Sequence, residues 1–179
     1  MKKILSIVLI ILIITGCGNN TARSAVESYM KKYKTLDSEV LVDLENMIKE
    51  ENLSNADKDK YRDILKKQYK DLSYDILEEE YDDEVSYVTV KIEVYNLYKA
   101  ESDALIYLEN NMNEFYDENN NYDVDKYIKF KLDRMKNTNE RVNYMITFTV
   151  TKENNKYVLS DLTSDDLKKI HGIYNYEIN

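Results

Sequence analysis

Val142-Asn143-Tyr144-Met145-Ile146-Thr147-Phe148-Thr149-Val150 sets an apolar or aromatic side chain at every second position: Val142, Tyr144, Ile146, Phe148 and Val150. Successive side chains of a strand point to opposite faces, so these five share one face and demand a core to cover it. Asn154-Asn155 then supplies two residues that tolerate the positive φ of a tight hairpin turn, and Tyr157 to Leu162 return. Upstream, Leu72, Tyr74 and Ile76 alternate with polar residues, Asp82-Asp83-Glu84 turns the chain, and Val88, Val90, Ile92 and Val94 alternate through a second long strand. Two hairpins imply at least four antiparallel strands.

Around these hairpins the apolar period changes from 2 to 3.6. Ala22, Val26, Tyr29, Met30 and Tyr33 predict a helix over 22–34, and Val40, Leu41, Leu44, Met47 and Ile48 a second over 39–49. A third opens at Ser54, with Asp57 in the reciprocal position of a capping box, and carries Tyr61, Ile64, Leu65 and Leu72. Beyond Tyr98 the helical period returns with Ala104, Leu105, Leu108, Met112 and Phe115, and then, after a cap at Asp123, with Val124, Tyr127, Ile128, Leu132 and Met135. A short last helix runs from the Thr163/Asp166 cap to His171 and stops at Gly172, where a left-handed cap needs glycine. The expected fold is α+β: helices packed on a curved antiparallel sheet of at least four strands, in one domain over residues 22–179. This order of elements is similar to the nuclear-transport-factor-like and cystatin-like families, which implies a sheet wrapped around a helix, often with a pocket.

Composition excludes much chemistry. Of three glycines in 179 residues, Gly16 and Gly18 flank Cys17 and only Gly172 remains for the body. Phosphate cradles, dinucleotide fingerprints and nucleophile elbows need several glycines. With one Cys and one His there is no set of zinc ligands, no Cys-His pair outside Cys17 and His171, and no intrachain disulfide. No cofactor is expected. The 19 Asn and 17 Tyr, with no Pro or Trp, match the codon usage of a low-GC bacterium, and a Gram-positive source is expected.

The N-terminus carries the most specific signal. Lys2 and Lys3 precede an apolar run from Ile4 to Ile14, which as a helix covers about 16 Å of a hydrocarbon core near 30 Å and so falls short of a span. A charged start, a short apolar run and small residues are the plan of a secretory signal. Ile14-Thr15-Gly16-Cys17 resembles the lipobox of bacterial lipoproteins. The resemblance implies a signal peptide over 1–16, transfer of a diacylglycerol group to Cys17, acyl chains such as palmitate, and residence at the extracytoplasmic face of the cell membrane. Small lipoproteins of low-GC Gram-positive bacteria, of unknown function, resemble the chain in lipobox, length and composition. Residues 17–21 would be the lipidated Cys17 and a tether reaching less than roughly 20 Å. Loss of Lys2 and Lys3 takes the net charge from −9 to −11, so nucleic acid is not an expected partner and anionic lipid would repel the body.

Four features of the body invite a chemical reading. Asp117-Glu118-Asn119-Asn120-Asn121-Tyr122-Asp123-Val124-Asp125 begins like a helix-loop-helix calcium loop, but Tyr122 replaces the glycine at position 6 and Ile128 the bidentate Glu at position 12. A solvated loop ending in an N-cap is expected there, without metal. Glu78-Glu79-Glu80 and Asp82-Asp83-Glu84 flank Tyr81 at the first hairpin turn and read as a solvated, edge-blunting turn. His171, in the last turn of its helix, reads as an imidazolium favoured by the helix dipole. The tyrosines, which could stack on sugars or peptides, read mainly as core with a wet tip.

The expected function is therefore a non-enzymatic, membrane-tethered module binding a small ligand or another envelope protein. The alternative is a small pocket enzyme in which an Asp or Glu and a Tyr exchange protons, which requires a buried carboxylate beside a buried tyrosine hydroxyl.

Overall fold

The computed structural model describes residues 20–175. The segment expected to be a signal peptide, 1–16, and Cys17 lie outside them. The chain runs α1 (Ala22–Thr35), α2 (Ser38–Glu50), α3 (Asn55–Asp71), β1 (Ser73–Asp82), β2 (Val85–Tyr95), α4 (Leu97–Asn110), a 3₁₀ turn (Met112–Phe115), α5 (Val124–Asn137), β3 (Arg141–Glu153), β4 (Lys156–Leu159) and α6 (Ser164–His171). The fold is α+β, and the four strands form one antiparallel sheet in the order β1-β2-β3-β4.

The alternation in β2 and β3 does what its period requires. Val88, Val90, Ile92 and Val94 on β2 stand opposite Phe148, Ile146, Tyr144 and Val142 on β3. All of these except the half-buried Val142 are sealed, at 1% exposure or less, beneath α1, α3 and α6. α1 crosses this inner face, with Tyr29 edge-on to Phe148 at 5.7 Å between ring centres. Each helix has a side-chain cap, because the first amide hydrogens of a helix have no partner in the helix itself. Thr21 and Ser24 form a capping box on α1, Ser54 receives the Asp57 amide hydrogen on α3 and donates its hydroxyl to the Asp57 carboxylate in place of the reciprocal backbone bond, and Thr163 receives the Asp166 amide hydrogen on α6.

Glycine scarcity is met by other residues at positive φ. Asn154 and Asn155 turn the β3–β4 hairpin at φ 49° and 63°, and Asp83 turns the first at φ 52°. Gly172 closes α6 at φ 72°, and there glycine is obligatory, because a Cβ would lie 2.2 Å from the Tyr95 carbonyl oxygen and 2.3 Å from Gln68 Nε2. Gln68 is fully buried, and its amide donates to the Tyr95 carbonyl at 3.1 Å and accepts the Tyr95 N–H at 2.8 Å, extending the ladder by a side chain at the end of β2.

Several expectations need correction. Glu78, Glu79 and Glu80 lie within β1, which runs on to Asp82 with a bulge between Ile76 and Glu78, so only Asp83-Glu84 make the turn. The returning strand ends at Leu159: the Ser160 N–H makes one more bond in the register of the ladder, to the Thr149 carbonyl at 2.9 Å, and the chain then leaves the sheet to begin α6. Val124 and Leu105 are exposed, at 52% and 47%, since α4 and α5 pack on each other, and α5 on α3, with Ala104, Leu108, Leu132 and Met135 buried instead. Tyr81, Tyr87 and Tyr122 are exposed rather than core, whereas Tyr33, Tyr61, Tyr69 and Tyr144 are buried.

The inner face of β3 should dominate stability. Phe148→Ala is expected to cost about 3 to 5 kcal/mol, while Thr147→Ala, which removes only the 3.2 Å hydroxyl contact to Thr89 on the outer face, should cost less than about 1 kcal/mol. Urea melts of the two variants check this, and equal small losses would contradict the core assignment.

Candidate functional site

The Asp117–Asp125 loop is tied by its own polar groups. Asp117 Oδ1 accepts the N–H groups of Asn119 and Asn121 at 2.9 and 2.8 Å, and Oδ2 accepts the Asn121 amide at 3.3 Å. These bonds hold the Asp117 carboxyl below the usual carboxylate range, the Asn121 backbone N–H contributing most. Asp123 caps α5 by accepting the Lys126 N–H at 3.0 Å, and the Lys126 ammonium donates to the Tyr116 carbonyl at 2.6 Å. Three of the carboxylate oxygens a cation would need are thus engaged, with an ammonium already seated at the loop. Among the described residues no group of three or more His, Cys, Asp or Glu side chains is placed to hold a metal ion.

Tyrosine–carboxylate pairs do occur among the described residues, but at the surface. Tyr81 donates to Glu79 at 2.7 Å, Tyr95 to Asp71 at 2.9 Å, and Tyr107 to Glu114 at 3.0 Å. In each the carboxylate accepts from the phenol and raises its pKa, so the pair stabilises the protonated tyrosine in contact with water. The buried carboxylate is Asp57, whose Oδ2 accepts the Ser54 hydroxyl at 2.5 Å as half of a helix cap. The geometry that the pocket-enzyme alternative requires, a buried carboxylate beside a buried phenol, is not among these contacts.

The buried tyrosines instead form a ladder ending at the one histidine. Tyr29 meets Tyr33 edge-on at 5.6 Å with hydroxyls 3.4 Å apart, Tyr33 meets Tyr69 at 5.1 Å, and Tyr69 meets His171 at 5.8 Å. Burial pushes the Tyr33 and Tyr69 hydroxyls far above the tyrosine range. The same burial takes His171 down to about 4. This reverses the expectation of an imidazolium favoured by the helix dipole: the last turn of α6 is turned into protein, and desolvation outweighs a dipole contribution of about 0.3–1 kcal/mol. His171 is a neutral ring packed at the end of the ladder.

The outer face of the sheet is left uncovered by helices and bears the polar half of each alternation. Tyr87 and Thr149, Thr89 and Thr147, Lys91 and Met145, and Glu93 and Asn143 stand opposite one another across β2 and β3. Tyr87 and Met145 are exposed at 37% and 44%. A depression of 60 Å³ opens there between Ser73, Tyr74, Asp75, Lys91, Glu93 and Asn143. Small-molecule pockets start at about 300 Å³ and are mostly apolar, so this polar dimple is not the Tyr-, Met- and aliphatic-lined pocket that a small-ligand module calls for. At its margin the Arg141 guanidinium and the Lys67 ammonium each sit 4.5 Å from the centre of the Tyr95 ring, and Arg141 also reaches Glu93 at 3.2 Å. Nothing in the sequence announces this cluster except the outward register of its members.

His171 makes stability pH-dependent in a defined direction. The unfolded chain takes up the imidazole proton as pH falls through 6.5, the folded protein only near 4. Between those values the unfolded state holds the extra proton, so stability falls as pH falls, by at most about 3 kcal/mol at the lower end. Replacing His171 by Phe keeps a ring against Tyr69 and should remove that component of the slope between pH 6.5 and 4. Denaturant melts across the range read it, and an unchanged slope would contradict a neutral His171 in the folded protein.

No protein-family model, no curated protein and no solved structure matches the chain.

Proposed function

We propose that the chain is a lipoprotein held at the extracytoplasmic face of the cell membrane through Cys17. Its α+β body would be a non-enzymatic interaction module for another envelope protein or a small ligand. The observation that carries this reading is the coincidence at one place of Lys2-Lys3, the short apolar run Ile4–Ile14 and Ile14-Thr15-Gly16-Cys17. No helix among the described residues is long and apolar enough to cross a membrane.

An interaction role is favoured over catalysis by the open outer face of the sheet. It offers Tyr87, Met145, Thr89 and Thr147 as a flat, accessible, mixed surface, whereas the tyrosine–carboxylate pairs described above point into water. A flat surface of this size suits an extended or folded protein partner better than a small ligand, because small ligands need concavity. The net charge of −11 after loss of the signal sequence argues against a nucleic-acid partner.

Cys17→Ala should release the protein from membrane fractions or stall it with its signal sequence attached. Fractionation of cells expressing the full chain, with intact-mass measurement of the purified product, checks this. A Cys17→Ala protein that stays in the membrane with residues 1–16 removed would refute lipidation.

A further inference from the structure

We infer that the two hairpin tips, Asp82–Val85 and Glu153–Lys156, form the membrane-facing end of the domain and meet the headgroup surface of the bilayer, while the opposite end of the sheet, around Tyr95 and Arg141, points away from it. The inference rests on the lipid-anchor reading of Cys17 and adds the orientation that the fold imposes on it.

The start of the described chain is fixed to a particular place. The Asn20 side-chain amide donates to the Asn155 carbonyl at 2.6 Å, which puts the entry to α1 at the β3–β4 turn. The other hairpin tip is alongside, since the Lys152 N–H bonds the Glu84 carbonyl at 2.9 Å and Val85 faces Thr151. From there α1 runs along the sheet towards its other end, passing Phe148 at Tyr29 and reaching Tyr69, beside His171, at Tyr33. His171 precedes Gly172, whose carbonyl accepts the Tyr98 N–H at 2.8 Å, and Asn96 bonds Glu140 at 2.9 Å. Those contacts mark the far end, where β2 finishes and β3 begins.

Two lengths then decide the geometry. Cys17 and Asn20 are three residues apart in the sequence, so a fully extended connection reaches only about 10 Å. β2 has 11 residues and at its ordinary rise measures about 35 Å. The tether is thus much shorter than the sheet, and it is attached at one end. The tips stay within its reach of the lipid, and with the acidic body repelled by anionic lipid the Tyr95 end stands up to several Debye lengths further out, the screening distance being about 8 Å at physiological salt. Residue chemistry at the tips agrees with surface contact without insertion. Asp82, Asp83, Glu84 and Glu153 exceed Lys152 and Lys156 in charge, which keeps the tips from inserting into anionic lipid. Tyr81, exposed at 66% beside the tip, suits the depth of the headgroups. The outer face and the Tyr95–Arg141–Lys67 cluster are consequently left accessible from outside the membrane.

The test uses the lipidated full-length protein purified from membranes, in which Cys17 is acylated and a single introduced cysteine is the one free thiol. Glu153→Cys at the tip and Asn139→Cys before β3 are both exposed positions, and each would carry the same fluorophore. Each labelled protein is reconstituted into phosphatidylcholine–phosphatidylglycerol vesicles containing a lipid with a nitroxide on its headgroup. Quenching several-fold stronger at 153 than at 139, falling when a ten-residue Gly-Ser segment is inserted after Gly18, is the expected result. Co-flotation with the vesicles but equal or reversed quenching would overturn the orientation and leave the anchor standing. Failure to co-float would overturn the anchor, and the orientation with it.

Discussion

The pairing of β2 with β3 is the interaction on which the rest of the structure depends. Its inner face is a continuous double row in which Val88, Val90 and Ile92 meet Phe148, Ile146 and Tyr144, and with a single cysteine in the chain no covalent link can replace that burial. The two strands are far apart in sequence, as Arg141 and Glu93 show by meeting across 48 residues. The entropy of closing such a loop must be recovered by contacts that form together. This explains why the connecting segment is itself compact. α4, the 3₁₀ turn and α5 enclose a satellite cluster in which Tyr107 stacks on Phe130 at 4.9 Å, Phe115 stands edge-on to Phe130 at 5.4 Å, and Arg134 covers both rings of the stack. A connector that folds on itself brings Tyr95 and Arg141 together at less entropic cost than an open loop.

A sheet built this way leaves two edges and one face to be managed. On β1 the edge is blunted by the Ile76–Glu78 bulge, by Glu79 and Glu80, and by the Arg23 guanidinium on the Ile76 carbonyl at 3.3 Å. Beyond short β4, the edge of β3 is covered by Lys169, whose ammonium accepts no proton but donates to the Met145 carbonyl at 3.1 Å, and by the Ser160 N–H on Thr149. The outer face has no such covering. Threonines, Lys91, Glu93 and Arg141 keep it soluble, and it is the broad surface on which an interaction role is proposed.

The regular elements were legible because their periods are long and unbroken. The alternation in 142–150 and 88–94, the caps at Ser54, Asp123 and Thr163, and the stop at Gly172 each rest on local chemistry, and each appears in the fold. Features set by tertiary contact were not legible. Which face of α6 turns inward decides that His171 is half-buried and neutral, and the sequence near His171 carries no sign of it. Gln68 clamping Tyr95 pairs residues 27 apart through an amide that reads as surface in any local window. β4 is also shorter than its pattern, which runs on to Leu162, because the chain leaves the sheet after Ser160 to begin α6. The candidate surface was legible only as the polar half of a strand alternation, since periodicity says which residues point outward but not whether a helix will cover them. The proposed anchor at Cys17 has the opposite character, being readable in a four-residue motif outside the described residues.

Native-state hydrogen exchange tests the central claim most directly. If the β2–β3 ladder is the keystone, the amides of Val88, Val90, Ile92, Ile146 and Phe148 should share the slowest exchange in the molecule, at the free energy of global unfolding, with β1 and β4 opening more easily. If those five amides exchange as fast as the edge strands, or if the slowest amides lie in the α4–α5 pair, the account of the fold given above is contradicted.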